Sequence, residues 1–146
     1  AGFDPATVSR QNISSGNVLY KDWSKKHYVG GAGEWDRMSE AIAVCKQVGA
    51  DPELALKSAS YGSFQIMGEN CKECGYATAH EMGFDFSKGE GQQLKAFVRF
   101  VKSKRLDDEL RDLNWAKFAE GYNGTGYKLN KYDKKLASRY LYHKGM

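Results

Sequence analysis

A chain of 146 residues is long enough to form one domain with its own hydrophobic core, without disulfides or metal to hold it together. Hydrophobic residues make up 41% and charged residues 27%, as in ordinary globular proteins, and no apolar run approaches the length of a membrane span. The net charge of +4 favours contact with polyanions, including nucleic acid, lipid head groups and the bacterial cell wall, but does not choose among them.

The first third of the chain predicts one long helix preceded by irregular structure. Asp4 as N-cap and Pro5 at the first helical position favour a brief helix at the start. Residues 11–33 are rich in Gly, Ser, Asn and aromatics without a period, which indicates irregular structure or a short hairpin able to line a cleft. Residues 34–48 form a predicted amphipathic helix that Gly49 ends. Its apolar side chains recur at helical spacing and are Trp35, Met38, Ile42 and Cys45.

Capping signals then divide the chain into further helices. Asp51, followed by Pro52, predicts a second short helix that ends near Ser60. Residues 78–81 and 87–90 have the form of capping boxes, and the second precedes the strongest helical pattern of the chain. The apolar stripe of that helix consists of Leu94, Phe97, Val98 and Val101.

The last part of the chain also predicts short helices. Asp107 and Asn114 can each cap a following helix. Tyr132, Leu136 and Tyr140 recur every fourth residue and mark the final helix. Many short helices around a core helix, with a small irregular or β region near the N-terminus, predict a mainly α domain of the α+β class.

A first candidate binding segment covers residues 61–68, which read YGSFQIMG. Gly62 beside Tyr61 allows backbone to approach a ligand closely, and the Gln65 amide offers both a donor and an acceptor. Ser63 adds a small polar group. This composition suits a sugar cleft, although it also fits the first turn of a helix with its three large apolar residues in the core.

A second candidate segment covers residues 121–127, which read GYNGTGY. Asn123 with Gly124 predicts a tight turn, and two tyrosines flank it. Aromatic faces bind the C–H surfaces of sugars and side-chain amides bind their hydroxyls, so Tyr122 and Asn123 fit such a ligand. An ordinary turn that ends a helix fits the same residues.

Together and in this order, the two segments resemble the conserved motifs of the lysozyme superfamily, which includes goose-type lysozymes and lytic transglycosylases. The chain resembles the bacteriophage endolysin N-acetylmuramidase family more closely, a family that also occurs in secreted antibacterial effectors. This resemblance covers most of the chain, through residues 55–60 leading into the first segment, 74–76, 93–98 and 115–123. It implies a lysozyme-like fold and cleavage of the β-1,4 bond between N-acetylmuramic acid and N-acetylglucosamine.

The resemblance implies that Gln65, Tyr122 and Asn123 line the saccharide site, with Tyr61, Ser63 and Gly124 as further candidates. The general acid of the family is a Glu that ends its first long helix, commonly before a Ser, and an apolar site keeps it protonated. No Glu-Ser pair occurs here, and the matching part of the family begins after that helix. We therefore expect a single domain over residues 1–146 whose catalytic Glu lies upstream of Ala1, so that this chain alone would be inactive.

Two other placements of the acid remain open. A loose alignment to lytic transglycosylases through residues 48–52 puts Gln47 at the position of the acid, and an amide cannot supply a proton. That register predicts an inactivated enzyme. Alternatively, Glu34 or Asp36 faces the cleft, although Glu34 also fits a first-turn partner of the helix dipole.

A metal site and a nucleic-acid surface are both disfavoured. Cys71 and Cys74 with His80 lack the second pair of ligands of a structural zinc site, and three cysteines cannot form a complete disulfide framework. Residues 128–139 form a basic stretch flanked by tyrosines, but no nucleic-acid module matches it, and attraction to the anionic wall or outer leaflet fits better. We expect no cofactor, no metal, no nucleic acid and no stable membrane insertion.

The resulting prediction is a peptidoglycan hydrolase, either an endolysin or an antibacterial effector, whose partner is the glycan strand. It would be made in the cytoplasm and act in the periplasm or on the cell wall, with its delivery or immunity partner left open. The alternatives are a lytic transglycosylase, in which a hydroxyl of the muramic acid attacks instead of water, and a catalytically inactive peptidoglycan-binding module.

Overall fold

The computed structural model describes Lys26 and residues 30–145 of the chain. The predicted helix at Asp4 and Pro5 and most of the predicted irregular segment 11–33 lie outside the described residues. The chain divides into two compact units, Ala1–Phe97 and Val98–Met146. Within the described part, no helix is long and apolar enough to span a bilayer.

Helices dominate both units. The first contains α1 (Gly33–Gln47), α2 (Glu53–Lys57), the strands β1 (Ser60–Tyr61) and β2 (Ile66–Met67), a short 3₁₀ helix (Gly68–Asn70) and α3 (Ala79–Phe86). Helix α4 (Glu90–Ser103) begins in the first unit and ends in the second. The second unit continues with α5 (Asp107–Arg111), α6 (Trp115–Asn123), α7 (Tyr127–Asn130) and α8 (Tyr132–Lys144).

The mainly helical content with one small sheet confirms the predicted fold class. The sheet lies at residues 60–67, however, and so belongs to the first candidate binding segment. Of the segment 11–33, where a β region was expected, the structure describes only Lys26 and residues 30–33.

Helix α1 confirms the helix predicted for residues 34–48. Cys45 near its C-terminal end is buried in an apolar cluster with Ala55 of α2. Gly49 follows at φ +68°, a left-handed conformation that ends the helix as predicted. Trp35 is 55% exposed, so only the later members of the predicted apolar stripe reach the core.

Helix α2 begins with the predicted cap and ends earlier than predicted. The Asp51 carboxylate accepts a hydrogen bond from the Glu53 N–H at 2.9 Å. The helix ends at Lys57, and Ser60 already belongs to β1. The prediction of a helix to about Ser60 is wrong because the chain extends there to pair with the second strand.

Of the two N-caps that the predicted capping boxes imply, only the first forms. Thr78 Oγ1 accepts a hydrogen bond from the Glu81 N–H at 3.0 Å, so α3 begins where predicted. The Ser87 hydroxyl instead donates to the carbonyl of Phe84 at 2.7 Å, because Ser87 ends α3. The prediction of a Ser87 cap for α4 is therefore wrong, and that helix begins at Glu90.

The buried face of α4 also differs from the prediction. Ala96, Phe100 and Val101 are buried, whereas Leu94 and Val98 are 51% and 43% exposed. Residues four apart share a helix face, so Ala96 and Phe100 lie together on a buried side of α4. Val101 is buried as predicted, whereas the prediction is wrong for Leu94 and Val98. The predicted stripe consists of large apolar side chains and does not include Ala96, which is fully buried.

In the second unit, one of the two predicted caps is correct. The Asn114 side chain accepts a hydrogen bond from the Lys117 N–H at 3.4 Å and caps α6. Asp107 is not a cap, because it already occupies the first position of α5. Its carboxylate pairs there with Arg111 at 2.9 Å. Its negative charge also interacts favourably with the positive N-terminal end of the helix dipole.

The final helix is confirmed as α8. Its inner side packs in the second unit through Tyr140, whose ring centroid lies 5.3 Å from that of Trp115. Phe118 and Tyr127 are buried in the same unit.

Candidate functional site

The first candidate segment forms a β-hairpin and not the first turn of a helix. Strands β1 and β2 are antiparallel, with Ser60 opposite Met67 and Tyr61 opposite Ile66. Residues 62–65 form the loop between them. The loop thus presents its polar groups at the tip of a hairpin whose strands are held by backbone pairing.

Gln65 has an unusual backbone conformation in this loop. Its φ of +51° lies in the left-handed region, which glycine adopts far more readily than glutamine. Its N–H and its side-chain Nε2 both donate to the carbonyl oxygen of Gly62, at 3.2 and 2.9 Å. The side chain is exposed, and no donor among the described residues reaches its Oε1. The turn therefore holds an acceptor oxygen at the surface.

Gln93 of α4 anchors the hairpin loop. The Ser63 N–H donates to Gln93 Oε1 at 2.8 Å, and Gln93 Nε2 donates to the carbonyl oxygen of Phe86 at 3.1 Å. The close approach requires a glycine in the loop, because a Cβ on Gly62 would lie 2.6 Å from Gln93 Oε1. No local pattern in the sequence marks Gln93, because its partner Ser63 is 30 residues away.

Two further candidates of this segment have partners within the protein. The Ser63 hydroxyl is exposed and donates to Glu90 Oε1 at 3.1 Å. Tyr61 is buried, and its hydroxyl donates to the carbonyl oxygen of Leu56 at 2.8 Å. Burial raises the pKa of Tyr61 far above its ordinary value, and the nearby charge of Glu53 raises it further. The structure thus places Ser63 at the surface of the loop and Tyr61 beneath it in the core.

The second candidate segment ends helix α6. The half-buried ring of Tyr122 packs against Phe118 and Phe100, with 5.5 Å between ring centroids in each pair. Asn123, the last residue of the helix, is exposed. Gly124 follows at φ +77° and confirms the predicted turn. The segment both ends a helix and presents an amide to solvent.

The structure therefore brings the candidate residues together in two groups. In the first unit the group is Tyr61, Ser63 and Gln65, with Gln93 added. In the second unit the group is Tyr122, Asn123 and Gly124.

Comparison with known proteins agrees with the resemblance seen in the sequence. The profile of the N-acetylmuramidase family matches residues 3–144. The chain belongs to this N-acetylmuramidase family. Among solved structures, the Burkholderia AP3 phage endolysin is similar, with 34% identity and a TM-score of 0.71 over 94% of this chain and 53% of that chain. The muramidase chain thus spans about half the length of that endolysin. Among curated proteins, none matches it significantly.

The carboxyl groups described in the muramidase chain do not have the surroundings of a general acid. No polar or charged side chain is buried among the described residues. Glu34 pairs with Arg37 at 2.9 Å and accepts a hydrogen bond from the Gly30 N–H at 2.8 Å. Asp36 and Gln47 are exposed on α1. A carboxyl group that keeps its proton near neutral pH needs the opposite, an apolar and dehydrated pocket.

The cysteines of the muramidase chain lie in its core. Cys45, Cys71 and Cys74 are buried, and none of the three forms a disulfide. Burial raises the pKa of the Cys45 thiol, which disfavours its reactive form. His80 is exposed, and no group of three or more possible metal ligands occurs within the described residues. The absence of a metal site stays a prediction.

Proposed function

We propose that this chain is the glycan-cleaving domain of a peptidoglycan hydrolase that cuts the β-1,4 bond between N-acetylmuramic acid and N-acetylglucosamine. The observation that carries this proposal is the family match over residues 3–144. The similarity to a phage endolysin supports it. The substrate would be the glycan strands of peptidoglycan, so the protein would act in the periplasm or on the cell wall.

In the first unit, Gln65 would bind the glycan strand through its exposed Oε1. N-acetyl sugars carry hydroxyl and acetamido N–H donors, which match an acceptor held at the tip of a loop. Both ends of the loop are already ordered, because Gly62 accepts two hydrogen bonds from Gln65 and Gln93 holds Ser63. Such preorganisation reduces the conformational entropy lost when a ligand binds.

In the second unit, Asn123 and Tyr122 would contact the glycan. The exposed Asn123 amide can both donate to and accept from sugar hydroxyls. Tyr122 is held by two aromatic neighbours, so its ring provides a rigid apolar surface for sugar C–H groups. Gly124 has no side chain to obstruct a ligand beside the amide.

Hydrolysis also needs a protonated carboxyl group next to the leaving oxygen, and we place it outside residues 30–145. Protonation of the glycosidic oxygen lets its bond to the sugar carbon break, and water completes the reaction at that carbon. Two observations support this placement. Among the described residues no carboxyl group is buried, and Glu34 is engaged by Arg37.

The test is digestion of purified sacculi by the full-length native protein. We expect the turbidity to fall and mass spectrometry of borohydride-reduced products to show reducing N-acetylmuramic acid ends. Gln65→Ala and Asn123→Ala should each slow release about tenfold, the loss of one hydrogen bond to the substrate, while Gln92→Ala serves as the control.

Three results would contradict the proposal in different ways. An anhydro end on the product would identify a lytic transglycosylase. Retention on insoluble peptidoglycan without any cleavage would identify a wall-binding module. No release and no retention would exclude peptidoglycan as the substrate.

A further inference from the structure

The positive charge of the chain is concentrated in its last two helices. Residues 127–144, which comprise α7, Lys131 and α8, contain six lysine or arginine residues and one aspartate, a net charge of +5. The whole chain carries +4, so all its other residues together sum to −1. A chain of modest overall charge thus has one strongly cationic segment.

Four of these cations form a continuous stripe, which we name the basic face. Lys131, Lys134, Lys135 and Arg139 are exposed and, with Ser138, line one shallow open depression. Residues three and four apart share a side of a helix, so these side chains are neighbours. None of the four takes part in a salt bridge with another described residue. Their charges are therefore available to an anionic partner.

Exposed apolar side chains accompany the basic face. On α8, Leu141 and Tyr142 are 67% and 61% exposed, and on α7 Leu129 is 88% exposed. Tyr142 lies three residues after Arg139 and therefore on the same side of α8 as the basic face. The opposite side of α8 packs internally through Tyr140 and Trp115, so this helix has one face in the core and one without a partner in the described structure.

We propose that the basic face binds peripherally to the surface of an anionic phospholipid bilayer. Lysine and arginine side chains near such a surface each strengthen binding about fivefold through the negative potential of the head groups. Exposed leucine and tyrosine side chains gain by entering the boundary between head groups and acyl chains. A nucleic acid would also attract the cations, but the exposed Leu129 and Leu141 would contribute nothing to binding its phosphates.

This inference goes beyond the proposed cleavage and does not depend on it. Binding to a bilayer would confine the protein to a layer next to the cell wall. Confinement raises the effective concentration of any site that acts on a neighbouring polymer. The same chain would then combine a glycan-binding function with a surface that holds it in place.

The test is co-sedimentation of the protein with vesicles made of equal parts phosphatidylcholine and phosphatidylglycerol, compared with vesicles of phosphatidylcholine alone. The test variant combines Lys134→Gln, Lys135→Gln and Arg139→Gln. A matched control combines Lys46→Gln, Lys72→Gln and Lys95→Gln, which removes the same charge at exposed positions elsewhere. We expect the basic-face variant to bind anionic vesicles about a hundredfold more weakly than the wild type, and the control to bind far more strongly than that variant.

Two more measurements complete the test. Added salt should weaken binding to the vesicles, because exposed charges are screened. The double variant Leu141→Ser with Tyr142→Ser should also weaken binding, although its charge is unchanged. Muropeptide release by the basic-face variant should equal that of the wild type, so lipid binding and cleavage are judged separately. The proposal is overturned if anionic vesicles do not bind, if both charge variants lose equal affinity, or if RNA or sacculi bind the basic face more tightly than vesicles do.

Discussion

The side-chain oxygen of Gln93 accepts a hydrogen bond from the Ser63 N–H at 2.8 Å and ties the hairpin loop to helix α4. The nitrogen of the same amide donates to the carbonyl oxygen of Phe86 at 3.1 Å. One side chain thus serves two backbone groups in different parts of the unit. Each such hydrogen bond contributes about 0.5–1.5 kcal/mol to stability.

Replacing Gln93 should therefore destabilise the first unit and disturb the loop. Gln93→Leu keeps the approximate volume but bonds neither Ser63 nor Phe86, and we expect a loss of about 1–3 kcal/mol in the free energy of unfolding. Urea denaturation followed by circular dichroism measures this loss. Gln92→Leu, one position earlier on the same helix, is the control and should change stability by less than about 0.5 kcal/mol. Equal effects of the two variants would show that the amide of Gln93 does not anchor the loop.

Gly62 should tolerate a methyl group less well than a glycine of similar conformation. Gly62 and Gly49 have φ values of +69° and +68°, but only at Gly62 would a Cβ meet other atoms, at 2.6 Å from Gln93 Oε1. Gly49→Ala should cost about 1–2 kcal/mol from the left-handed backbone alone. Gly62→Ala should cost about 1–3 kcal/mol more, because the loop or Gln93 must move. Similar unfolding midpoints for the two variants would contradict the close contact.

Gln65 should show strain that serves binding. Gln65 and Arg105 have similar left-handed φ values, +51° and +54°. Because glycine relieves this strain but adds entropy to the unfolded chain, Gln65→Gly and Arg105→Gly should both stay within about 1 kcal/mol of wild-type stability. Only Gln65→Gly should slow muropeptide release by the full-length protein, about tenfold. Full activity of Gln65→Gly would remove Gln65 from the proposed site.

The buried hydroxyl of Tyr61 should make stability fall at alkaline pH. Burial raises its pKa, so the folded protein keeps a proton that the unfolded chain releases above about pH 10. The stabilising contribution is complete below that pH and declines as pH rises toward the pKa of the folded state. At neutral pH, Tyr61→Phe should be about 1 kcal/mol less stable than the wild type, because the hydrogen bond to the Leu56 carbonyl is lost. Between neutral pH and about pH 11, the variant should lose less stability than the wild type.

Urea midpoints at both pH values measure this difference. Tyr142→Phe is the control, because Tyr142 is 61% exposed and its side chain is not buried in the folded protein. A variant at Tyr61 that loses as much stability in alkali as the wild type would show that this tyrosine is not the responsible group.

Local signals in the sequence were accurate where all the interacting atoms lie within a few residues. Thr78 caps α3, Gly49 ends α1 and Asn114 caps α6, as predicted. Each of these depends on backbone geometry and on a donor in the next turn, so no distant partner decides it. The prediction that Ser87 caps α4 is wrong because Ser87 lies between two helices. Its hydroxyl donates to the carbonyl of Phe84 at the end of α3.

The sequence by itself determined the mainly helical class, most helix ends and, through the ordered segments around Gln65 and Asn123, the N-acetylmuramidase family. Only the tertiary structure decided that the Gln65 segment is a hairpin, that Gln93 anchors it, and that Ala96 rather than Leu94 is buried on α4. The physical reason is the same in each case. Strand pairing, a hydrogen bond across 30 residues and the choice of a buried helix face all depend on groups that become neighbours only when the chain folds.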